Sequence, residues 1–142
     1  MKSIKETNLY QEVLKELNYS YGNVFIFNGY VVSEINEGII FTWDAHAKRI
    51  TKDISCFLGT DGSDLIYISN RINPYSIQAL DWLKYFKSSY SLEGYYVVGQ
   101  EKSSVINTMF ENLFFNSKIR RFTSLYEAID AAKVCKGLLV KE

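Results

Sequence analysis

Asp64-Leu65-Ile66-Tyr67-Ile68-Ser69-Asn70-Arg71-Ile72-Asn73-Pro74-Tyr75-Ser76 is the stretch whose reading decides the fold. Leu65–Ser69 has the length and the β-branched content of a buried strand, and it breaks into a short polar loop. The single proline, Pro74, falls where a helix should begin, with Asn73 as N-cap and the helix expected to reach about Lys87. Open α/β sheets place ligands and partners at such strand-to-helix junctions. The free N–H groups of that first turn would form a weak anion site, which Arg71 strengthens and Asn70 and Ser69 extend with hydrogen-bonding groups.

Upstream, Asn28-Gly29 separates Asn-Val-Phe-Ile-Phe from Tyr-Val-Val-Ser-Glu-Ile, the strongest short hairpin signal. A second turn at Asn36-Glu37-Gly38 is expected to return the chain antiparallel through Ile39–Phe41. The period then changes to 3.6: Thr42 reads as an N-cap, Trp43, Ala47, Ile50, Ile54 and Phe57 as one face, and Gly59 as the stop. Downstream follow a strand at Tyr95–Gly99 and a helix near Glu101–Phe115 with Val105, Ile106, Met109, Phe110, Leu113 and Phe114. A strand at Lys118–Phe122 leads to a last helix, opened by a Ser124/Glu127 capping box. Helices alternating with strands imply right-handed parallel crossovers after an antiparallel start, hence an α/β fold with a mixed sheet.

The 142 residues suit one domain spanning 1–142, with residues 1–16 either a short helix or a loosely packed lead-in. Sixteen basic residues balance sixteen acidic ones, which argues against a nucleic-acid surface. No stretch has signal-peptide character or the length of a membrane span, so a cytoplasmic location is the default expectation. Cys56 and Cys135 share no short spacing and read as buried, reduced thiols.

Catalytic signals are absent. The one histidine, His46, reads as a surface or boundary residue of the first helix. No metal-ligand spacing, nucleotide-binding glycine loop or nucleophile elbow occurs, so no metal, no cofactor and no enzymatic activity are expected. Glu34/Glu37 and Asp61/Asp64 read as solvated turn carboxylates. The helix after the loop carries two apolar stripes, Tyr75, Ala79, Trp82 and Phe86 beside Ile77, Leu80 and Leu83. One stripe covers the sheet; the other faces either further core or a partner, for which Trp and Tyr are favoured anchors.

The phrases Leu-Ile-Tyr-Ile-Ser-Asn-Arg-Ile-Asn-Pro-Tyr-Ser, Ser-Glu-Ile-Asn-Glu-Gly and Phe-Thr-Ser-Leu-Tyr-Glu-Ala-Ile resemble small bacterial proteins of the SpoIIAA-like group, over residues 20–135. That group is related in fold to STAS domains and to the SEC14 lipid-binding fold. The resemblance implies a mixed sheet with successive β-α turns, and a regulatory or binding role without catalysis. In anti-sigma antagonists the corresponding loop carries Asp-Ser-x-Gly, whose serine is phosphorylated; Ser69-Asn70-Arg71-Ile72 stands here, without the acid or the glycine. Ser69 and Ser76 are the candidate acceptors. The leading expectation is a module that binds a protein partner or itself through Asn70, Arg71, Asn73, Tyr75, Ser76 and Trp82. The alternative is a small apolar-ligand or lipid-binding protein of SEC14-like character. An enzyme would require Arg71, His46 and a carboxylate to converge.

Overall fold

The computed structural model describes residues 2–99, 108–115 and 118–139. Three antiparallel strands open the main sheet: β1 (Lys15–Tyr19), β2 (Gly22–Ile26) and β3 (Tyr30–Ile35). The β2–β3 hairpin turns at Asn28-Gly29, where Gly29 takes the positive φ of 88° that favours glycine. β5 (Ile66–Asn70), β7 (Gly94–Val98) and β8 (Arg120–Phe122) then join in parallel. The order β1-β2-β3-β5-β7-β8 is that of the sequence itself. The chain is thus α/β, with a mixed sheet that starts as an antiparallel hairpin and continues through parallel strands.

β4 (Ile40–Phe41) does not extend the opening meander. It pairs in parallel with β6 (Ser76–Ile77) in a separate two-stranded sheet. β3 has no edge to offer, because β2 and β5 occupy both of its sides. The same pairing overrides the helix expected from Pro74. Gly38 N–H donates to the Pro74 carbonyl, Ser76 N–H to that of Ile39 and Gln78 N–H to that of Phe41, holding 74–78 extended. Asn73 Nδ2 donates to the Ile35 carbonyl at 3.2 Å. Helical structure begins with a 3₁₀ turn at Ala79–Asp81 and continues as α2 (Trp82–Lys87).

Before it, Thr42 Oγ1 accepts from Ala45 N–H, and a π-type turn at Trp43–Ala47 runs into α1 (Lys48–Leu58). Gly59 ends α1 in the left-handed conformation, as its place in the sequence implies. Ile50 and Ile54 are buried, whereas Phe57 and Cys56 face solvent. The final helix, α3 (Leu125–Cys135), buries Leu125, Ala128, Ile129 and Ala132, but Ser124 caps it without a side-chain bond, so no capping box forms. Cys135 is also exposed, with Sγ 3.1 Å from a Glu93 carboxylate oxygen.

Strand alternation divides the core into two faces. Val32 and Ile68 pack with α3 and with Ile4 and Leu9 of the N-terminal 3₁₀ turns. Val31 on the opposite face meets α1, and Tyr95 and Val97 meet Phe115, with Trp82 of α2 alongside. No helix among the described residues is long and apolar enough to cross a membrane.

Candidate functional site

The carboxyl end of β5 sends consecutive residues to opposite faces of the sheet. Ser69 and Arg71 go toward α2; Asn70 goes toward the N-terminal segment. Asn70 Nδ2 donates to the buried Glu34 carboxylate at 2.9 Å and to the Lys2 carbonyl at 3.0 Å. Glu34 also accepts from Ser3 Oγ and from Ile4 N–H at 2.8 Å, which ties the start of the chain to the sheet.

On the α2 side Arg71 forms an ion pair with Glu111, Nη2 to Oε1 at 2.6 Å, with side-chain exposures of only 3% and 1%. Arg71 Nη2 also donates to the Tyr95 hydroxyl at 2.7 Å, and Nε donates to Ser69 Oγ at 3.1 Å. Glu111 Oε2 accepts from Trp82 Nε1 and from the Tyr95 hydroxyl, each at 2.8 Å. Ser69 Oγ lies 2.9 Å from the Tyr75 hydroxyl. Burial opposes the charge on Arg71, but Tyr95, Tyr75 and Glu111 together outweigh it and hold its pKa well above the ordinary value. Burial likewise raises the Tyr95 phenol, against the pull of Arg71. Arg71 Nη1 is enclosed without a hydrogen-bond partner.

This network floors a recess of about 90 Å³ between β5, β7, α1 and α2. Eight aromatic side chains are among those that line it, and around Trp82 and Tyr85 several rings meet close to edge-on while Tyr85 and Tyr90 stack at 28°. Trp43 and Tyr85 have centroids 5.9 Å apart at 81°, Trp82 and Tyr85 5.5 Å at 82°, and Trp82 and Tyr95 4.8 Å at 63°. Asp81 Oδ2 accepts from Trp43 N–H at 2.7 Å, fixing the turn before α1 against α2.

Of the residues singled out in the sequence, Ser69, Arg71, Tyr75 and Trp82 come together here. Asn70 belongs to the network on the other face, Asn73 braces the loop, and Ser76 lies exposed in β6. Ser69 is buried to 1% exposure. His46 does not line the recess. Its Nδ1 accepts from Thr42 N–H at 3.0 Å, its ring packs on Phe41 and Tyr21, and burial lowers its pKa. Sequence reading missed Glu111, Tyr95, Tyr85 and Tyr67 as members of this site, while Trp43 is buried as its place on the apolar face of the first helix implied. For Glu111 the sequence carries no signal: Thr108, Glu111 and Phe115 are the buried side, while the apolar Met109, Phe110 and Leu113 are exposed. That inverts the apolar face expected for this helix; Val105 and Ile106 lie outside the described residues.

Among the described residues no group of three or more His, Cys, Asp or Glu could hold a metal ion. Compared with protein-family models, curated proteins and solved structures, the chain matches none significantly.

Proposed function

We propose that the chain is a non-enzymatic STAS-like binding module whose aromatic recess holds a small ligand. The observation that carries this reading is the inward orientation of Trp43, Tyr67, Trp82, Tyr85 and Tyr95 around free space at the ends of parallel strands. Concave, largely apolar sites with a few polar groups are the usual form of small-molecule sites. The in-order strands, antiparallel and then parallel, support the STAS-like assignment. The tied state of Arg71 and Glu111 supports binding over catalysis, since the two are buried against each other at 2.6 Å and bonded to Tyr95 and Trp82. About 90 Å³ is well below the hundreds of Å³ of a drug-sized site, so the volume favours a compact group over an acyl chain.

Native mass spectrometry of gently purified protein, followed by thermal unfolding against a small-molecule panel, tests the reading. A retained adduct, or a rise in Tm that Trp82→Leu abolishes, is expected. Absence of both would remove it.

A protein partner or self-association is the second reading, and it has its own observation. Leu80 in the turn before α2 and Leu83 within it, and Met109, Phe110 and Leu113 further along the chain, are all more than half exposed. Light scattering on Leu83→Ser and Met109→Ser decides it. A smaller mass than wild type supports self-association, and an unchanged mass together with unchanged partner recovery from native extract removes this reading.

A further inference from the structure

We propose that the ligand of this recess is a small organic cation, held by a methylated or alkylated ammonium group; this rests on the recess being the binding site. Among the described residues that line it, the charged ones are Asp61, Asp81 and Glu111, all acidic. The walls supply what a soft cation prefers. Ring faces carry negative electrostatic potential, and several set nearly perpendicular make a box around a positively charged, apolar group. Trp43 and Trp82 each stand nearly perpendicular to Tyr85, at 81° and 82°, and all three line the recess. A box of this kind attracts the ammonium without the strong hydrogen bonds that a bare Lys-type head requires.

Arg71 has to be weighed against this. Its guanidinium lies behind the floor, not in the wall, and Glu111 at 2.6 Å neutralises it. Asp81 keeps a net negative bias at the side of the box, because its cation partner Lys84 is 3.7 Å away and half exposed. An anion entering the recess would meet Asp81 and Glu111 before any free donor of Arg71.

Both tryptophans of the chain, Trp43 and Trp82, line the recess, so indole emission reports its occupancy directly. The 142-residue chain is titrated with choline, with the neutral isostere bearing tert-butyl in place of trimethylammonium, and with the matching tert-butyl carboxylate. Choline is expected to bind at least about ten-fold tighter than the neutral isostere. Asp81→Asn, which keeps shape and a hydrogen-bond acceptor for Trp43 N–H, is expected to weaken choline several-fold and leave the neutral isostere unchanged. Equal weakening of both would mark Asp81 as structural and count against the cation. Equal affinity of choline and the isostere, or preference for the carboxylate, overturns the cation while leaving a small-molecule site standing. No response to any of the three also overturns it, and if native mass spectrometry then shows no retained adduct, the binding-module reading falls with it.

Discussion

A guanidinium and a carboxylate that have both left water are costly unless each is paired, and removing one partner strands the other. Arg71→Met is therefore expected to destabilise the protein by about 3–5 kcal/mol, read from urea unfolding. Arg71→Met with Glu111→Leu is expected to cost much less than the two single changes added, because no orphaned charge remains. His46 is the other residue whose state matters. In the folded protein it stays neutral and accepts from Thr42 N–H, with burial lowering its pKa. The unfolded chain takes up the proton first as pH falls, so the folded state loses stability from about pH 6.5 downward, until the folded residue is protonated as well. Unfolding free energies on either side of that pH are expected to differ less in His46→Gln than in wild type. Neither role could be read from the residue alone: Arg71 was visible as a loop cation, but its partner lies forty positions later.

At the scale of elements, signals held where the deciding interaction is local. The Asn28-Gly29 hairpin and the Gly59 helix stop depend only on backbone conformations that glycine adopts freely. Gly59 and Gly62 separate conformation from crowding. Both have positive φ, 68° and 97°, but a Cβ at Gly59 meets open space while one at Gly62 runs into the Ser91 carbonyl oxygen. Gly59→Ala is expected to cost about 1 kcal/mol, and Gly62→Ala clearly more, as compared by thermal unfolding. The Pro74 helix start was a sound local reading that lost to a non-local one. Backbone groups at 74–78 found partners at 38–41, and a strand pairing satisfies more of them than a first helical turn does.

At the scale of the whole molecule, the first residues are part of the core. Ile4 is wholly buried and Leu9 nearly so, against the α3 face of the sheet, and Glu34 and Asn70 hold the backbone at Lys2–Ile4. Ile4→Ala is expected to cost about 2–4 kcal/mol in denaturant unfolding, whereas Leu83→Ser at the exposed edge of α2 should stay within about 0.5 kcal/mol. A loosely attached segment would make the first change as mild as the second.

The α/β character, the antiparallel opening and the Gly59 end of α1 follow from the sequence by itself, because alternation, helical period and turn glycines are properties of neighbours along the chain. Only the tertiary structure decided which side of a helix is inside and what the Asn70–Ser76 loop faces. Glu111 sits among exposed apolar residues and is nonetheless the buried one, since Arg71, Trp82 and Tyr95 converge on it from three other segments. A charge can leave water only where its partners already stand, and where they stand is a fact about the fold.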